Sequence, residues 1–135
     1  MKYFLHEITD SYFGANLPAK PTGHINCVQG RDFDTSGVFY GNELQYVDES
    51  ALRYTRFLEK GDVLFSSKGK LYATVWQEQV KNVVATSTFL IIKIKTPTIL
   101  PEYLAMYLNS YKARRYYDLH VKTTTVFHIE KNKWI

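Results

Sequence analysis

One cysteine, Cys27, stands in the whole chain, which excludes an internal disulfide and any zinc site built on paired thiolates. Such usage suits a reducing compartment. Long apolar runs are missing too: no stretch approaches the roughly 20 apolar residues of a membrane-spanning helix. The opening MKYFLHEITDSYF carries acidic and polar residues where a secretory signal keeps an unbroken apolar run. A cytoplasmic protein with no membrane partner is expected. Repeats, low-complexity tracts and Gly/Ser linkers are also lacking, which predicts one domain over 1–135.

Catalytic patterns are equally sparse. Ser67-x-x-Lys70 matches a penicillin-binding nucleophile formally, but that pattern belongs on a helix and here it spans a turn. His24, His120 and His128 are dispersed, and His128-Ile129-Glu130 lacks the Cys pair that would complete a deaminase zinc site. KPTGH lacks the Gly-Lys-Ser/Thr ending of a phosphate-cradling loop. Neither Asp62 to Lys68 nor Glu130 to Lys133 offers the carboxylate and lysine spacing of a nuclease centre. The expectation is a protein that is not an enzyme, with no cofactor and no metal.

What is present is a folded composition: 45% apolar, 16% aromatic and 22% charged. The net charge is +4, and it is unevenly placed. Residues 1–65 hold six Lys/Arg against nine Asp/Glu, a balance of −3, while residues 66–135 hold eleven against four, a balance of +7. An anionic partner would be drawn to the second half.

Periodicity and turn chemistry place the elements. Tyr3, Leu5 and Ile8 predict a short docking strand or helix, and SYFGANLPAKPTG a loop rich in Pro and Gly. HINCVQ alternates as a half-buried strand does, followed by a turn from Gly30 to Phe33. Val38–Tyr40 and Leu44–Val47 flank Gly41-Asn42 as a hairpin would. Asp48 is placed to cap a helix reaching Leu58, stopped by Gly61. DVLFSS and LYATVW form a second hairpin about Lys68-Gly69-Lys70, and FLIIKIK is a longer strand with Lys93 and Lys95 on its solvated side. Pro101 opens a helix running to about Tyr117, with Leu104, Tyr107, Leu108 and Tyr111 on one buried face. VKTTTVFHI reads as a closing strand. Strands and helices without regular βαβ alternation predict an α+β class, with a mixed, mostly antiparallel twisted sheet and a few helices.

Three features suit nucleic acid. Ser66-Ser67-Lys68-Gly69-Lys70, with Tyr72 after it, gathers hydroxyls, cations and a flexible Gly in one turn; a solvated hairpin turn would hold the same residues. Lys122-Thr123-Thr124-Thr125 is similar, although Thr runs also make edge strands. Lys112, Arg114, Arg115, Tyr116 and Tyr117 mix cations with aromatics, where helix-dipole complementarity alone would also gather cations. Arg31, flanked by Asp32 and Asp34, reads as an internal ion pair.

The order of these pieces resembles the target-recognition domain of type I restriction-modification specificity subunits. ITDSYFGANLPAK is similar to that domain's opening segment, GHINCVQGRDFDTSG to its strand and acidic turn, and ESALRYTRFLEKGDVLFSSKGK to its short helix, Gly-Asp and basic-tipped strand. TFLIIKIKTPTILPEYLAMYLNS resembles its strand and Pro-opened helix, and VKTTTVFHIEKNKWI its closing loop and strand. Two departures stand out: one recognition domain is present where a full subunit has two joined by helical spacers, and the turn carries Lys where the family often has Arg. The resemblance implies a non-catalytic reader of one half of a bipartite DNA target. Its partners would be double-stranded DNA, the modification (methyltransferase) subunits and, through them, the restriction subunit. It places candidate DNA contacts at Lys20, Thr22, Ser66, Ser67, Lys68, Lys70, Tyr72, Lys122, Thr123, Thr124 and Thr125. The recognition lobe of a fused methyltransferase or nuclease, and a protein-binding module of the same fold, are the competing readings.

Overall fold

The computed structural model describes residues 5–41, 43–66, 71–77 and 80–120. Its core is a strand buried on both faces. β8 (Phe89–Ile94) alternates its side chains: Leu90, Ile92 and Ile94 enter one apolar cluster, Phe89 and Ile91 the other. β5 (Val63–Ser66), its antiparallel neighbour, does the same with Val63 and Phe65 on one side and Leu64 on the other. These continuous apolar runs are what two covered faces require. β1 (Thr9–Phe13) and β6 (Ala73–Val75) complete an antiparallel sheet in the order β1-β8-β5-β6.

A second sheet, in the order β2-β4-β3-β7, comprises Ala19–Lys20, Gln45–Val47, Ile25–Val28 and Val83–Ala85 respectively. Val28, Val83 and Ala85 meet Phe33, Leu64, Tyr72, Trp76, Phe89 and Ile91 to form the layer between the sheets. Ile25, Cys27, Val47 and Val84 point the other way, under Ala51. On the far side of the first sheet lie α2 (Pro101–Leu108) and α3 (Tyr111–His120), following α1 (Leu5–Ile8) in the chain. Leu104, Ala105, Leu108 and Ala113 cover Val63, Phe65, Leu90 and Ile92. The layers are therefore helix, sheet, sheet and loop, an α+β arrangement.

Several expectations are corrected. The chain builds two sheets where one was expected, while the parallel pair in the second, β3 with β7, fits the expected mixed, mostly antiparallel pairing. β7 escaped notice because Val83, Val84 and Ala85 are all buried, which erases the alternation that marks a half-exposed strand. The stretch expected as a Pro/Gly loop supplies part of β1 and the edge strand β2, both paired to strands far away in sequence.

The hairpin about Gly41-Asn42 is replaced by a fold-back within 32–40. Phe39 bridges Phe33, Tyr40 N–H donates to the Asp32 carbonyl at 2.8 Å, and the two Phe rings stand 5.3 Å apart. Gly37 makes this possible at φ +91°, a region costly for a residue with a side chain. An added Cβ there would also meet Tyr72 Cδ2 at 3.0 Å.

Asp48 does cap a helix, accepting from Ser50 N–H at 2.9 Å, but it is a five-residue 3₁₀ turn, Glu49–Arg53. The chain beyond extends so that Leu58 N–H reaches the Val83 carbonyl at 2.7 Å. The single long helix expected from Pro101 is broken at Asn109 and Ser110, which leaves Tyr111 78% exposed while Ala113 takes the buried place. The expected closing strand lies outside the described residues.

Candidate nucleic-acid interface

The hairpin of β5 and β6 is held from its base. Ser66 N–H donates to the Tyr72 carbonyl at 2.8 Å, closing the ladder below the tip. β6 is an edge strand of its sheet, and an edge leaves backbone groups unpaired. Asn109 completes them: its carboxamide accepts from Ala73 N–H at 2.8 Å and donates to the Ala73 carbonyl at 2.7 Å. Arg114 donates to the Leu71 carbonyl at 2.8 Å and back to the Asn109 carbonyl at 3.1 Å. The break between α2 and α3 thus places one amide and one guanidinium against the hairpin. Sequence reasoning grouped Arg114 with surface cations and passed over Asn109. The signal for Asn109 was an amide residue at a helix end, which alone names no partner.

Of the expected contact residues, Ser66 and Tyr72 are buried, at 2% and 6% exposure. Tyr72 belongs to the layer between the sheets, its ring 6.3 Å from Phe33 and 6.4 Å from Phe89. Burial first, then the nearby Asp34 and Tyr40, pushes its phenol up to about 12. Tyr72 packs in the layer between the sheets, and Ser66 is enclosed at the end of β5, a strand buried along its whole length. Ser67, Lys68, Lys70 and Lys122 to Thr125 lie outside the described residues.

Lys20 and Thr22 are exposed and sit on the other sheet, on β2 and the turn after it. Lys20 Nζ lies 3.3 Å from Asp48. The Asp48 carboxyl is held below the usual carboxylate range, chiefly by the Ser50 backbone N–H, then by the Ser50 hydroxyl and Lys20.

Arg31 departs from its expected internal pairing. The Asp32 carboxylate accepts from Gln29 N–H at 2.8 Å. Asp34 accepts from Ser36 N–H, Ser36 Oγ and Val38 N–H at 2.8, 2.7 and 2.9 Å, and the Val38 bond foremost lowers its pKa. Both acids are committed to the turn, and Arg31 has no ion pair among the described residues. Lys93, expected on a solvated face, instead contacts Asp62 at 2.9 Å and Glu59 at 3.3 Å. Its side chain is only 20% exposed. Lys95 is exposed as expected.

No group of metal-ligating side chains occurs among the described residues, and no helix among them is long and apolar enough to cross a membrane. No family model and no curated protein sequence matches this chain. Among solved structures it is similar to the HsdS subunit from Thermoanaerobacter tengcongensis, with a TM-score of 0.62 and 16% identity. The fold is HsdS-like. The likeness covers 100% of this chain and 32% of the HsdS chain, so this chain spans about a third of that protein's length. At such identity the shared property is the arrangement of strands and helices, reached with largely different side chains.

Proposed function

We propose that this chain is the DNA target-recognition domain of a type I restriction-modification specificity subunit. In this reading it recognises one half of a bipartite target and directs modification and restriction subunits to it. The observation that carries the reading is the HsdS-like fold over the full chain, joined to the order of motifs that resembles such domains in sequence. The +7 balance of residues 66–135 supplies the cations that a phosphate backbone requires. The domain works without a cofactor and in the cytoplasm, as a non-catalytic component whose chemistry is done by the methyltransferase and nuclease subunits. Lys68, Lys70 and the Lys122–Thr125 loop make the backbone and base-edge contacts, with Thr123 and Thr124 suited to reading edges because hydroxyl and methyl groups add no charge.

Fluorescence anisotropy of labelled duplex DNA across a salt series tests this. One half-site makes few base contacts, so affinity falls near the non-specific range of about 10⁻⁴ to 10⁻⁶ M at physiological salt, with a marked salt slope. Binding indifferent to salt, or none, would remove the proposal. DNA incubated with the protein, divalent metal and a methyl donor stays intact and unmodified; turnover lost on changing one carboxylate would assign the chain to a fused enzyme instead.

A further inference from the structure

A groove of about 700 Å³ opens on the second sheet, at the edge of the layer between the sheets. Its floor follows from strand register. Lys20 pairs with Tyr46, and Tyr46 with Asn26, so one row across β2, β4 and β3 presents an ammonium, a phenol and an amide to the same side. All three line the groove together with Phe39 and Arg31. Arg31 comes from the 3₁₀ turn Gly30–Asp32, whose two flanking acids are occupied by backbone donors. Its guanidinium is exposed and makes no ion pair among the described residues, while Asp32 and Asp34 beside it keep their charge.

We infer that this groove is a DNA-strand site, in which Arg31 and Lys20 bind backbone phosphates of the duplex whose bases the hairpin approaches. The inference rests on the proposed function and adds a second surface to it. A nucleic-acid strand alternates anions with sugars, and the groove offers two cations, Lys20 and Arg31, together with neutral donors and an apolar side chain, which is the mixture that backbone contact uses. Glu43 also lines the groove, and Asp48 holds Lys20 in an ion pair whose side chains are about half exposed. An exposed pair of this kind exchanges readily for a phosphate. Arg31 is the stronger element, since a guanidinium fork matches phosphate oxygens and loses little by leaving water.

Position supports continuity with the hairpin. Residues 30–41 both line the groove and pack on the hairpin base: Phe39 stands 5.3 Å from Trp76, and Phe33 lies 6.3 Å from Tyr72. A Cβ added at Gly37 would meet the same Tyr72 ring. The segment 30–41 thus joins the groove to the base of the β5–β6 hairpin.

The test uses the full chain and a fluorescein-labelled duplex, with the salt slope of binding as readout and circular dichroism to confirm folding. Arg31→Ala and Lys20→Ala should each weaken binding severalfold and reduce the log–log salt slope by about one unit. Arg31→Lys should restore the slope, because the charge is kept, and Lys95→Ala should change nothing. Salt-dependent binding by the wild-type chain that Arg31→Ala leaves unaltered would overturn the groove while sparing the proposed function. Absence of duplex binding by the wild-type chain would overturn both.

Discussion

Asp62, 5% exposed, is a buried charge directly before β5. Its carboxylate accepts from Lys93 at 2.9 and 3.0 Å and from Glu59 N–H at 2.8 Å, so no oxygen is stranded in the apolar surroundings. Removing one partner of a buried pair leaves the other desolvated and unpaired. Lys93→Met should therefore cost about 2 to 3 kcal/mol in urea unfolding, less than a fully buried pair because Lys93 keeps some water, whereas Lys95→Ala should stay within about 0.5 kcal/mol.

Tyr12 lies beside this pair, with the Arg56 guanidinium 4.2 Å from its ring centre, and burial above all raises its phenol pKa. Cys27 is buried as well, and desolvation followed by Asp32 pushes its thiol from 9.0 up to about 11. Groups whose folded pKa is raised bind more protons folded than unfolded, so the stability they hold is complete below the unfolded pKa and lost as pH rises through the folded one. For Cys27 that window is 9.0 to about 11, and for Tyr72 it is 10.0 to about 12. Urea midpoints should fall between pH of about 8 and about 11, and Cys27→Ala should flatten the lower part of the fall. A constant midpoint would mean that these groups are solvated.

At the scale of elements, the interruption between α2 and α3 has a defined use. The Asn109 backbone N–H still donates to the Ala105 carbonyl at 3.0 Å, as the last rung of α2. Its side-chain carboxamide is what finishes the edge of β6, while Ser110 Oγ accepts from Ala113 N–H at 3.2 Å at the start of the next helix. Asn109→Ala leaves the N–H and C=O of Ala73 unpaired in a half-buried place and should cost about 1 to 3 kcal/mol. Faster amide exchange at Ala73 is the local sign to look for. Asn109→Asp keeps only the acceptor and should fall between. Equal exchange at Ala73 in all three proteins would show that the edge is satisfied in another way.

Across the whole molecule, two sets of cations have different work. Lys93 and Arg114 serve the fold, in a network about Asp62 and in a clamp on the hairpin. Lys68 and Lys70, which lie outside the described residues, are the proposed DNA contacts. Replacing both by Ala should weaken DNA binding and lower the salt slope by roughly one unit per lost phosphate contact, with well under about 1 kcal/mol lost in stability. Unchanged binding in that variant would take the hairpin out of the interface.

The class, the strands β3, β5, β6 and β8, the cap at Asp48 and the Pro-opened start of α2 were legible in the sequence, because each is written in local periodicity or in a residue with one favoured conformation. The sequence also carried the order of motifs that resembles a recognition domain. Tertiary structure alone decided that there are two sheets, since β2 and β7 exist only through partners distant in the chain and β7 has no alternating face to betray it. The same holds for the candidate interface. Whether Arg31 pairs with its neighbours or is presented to a groove depends on where Asp32 and Asp34 find their donors, and Arg114 becomes a clamp because a carbonyl on another element lies within its reach. Charge is a property of the residue, whereas availability is a property of everything packed around it.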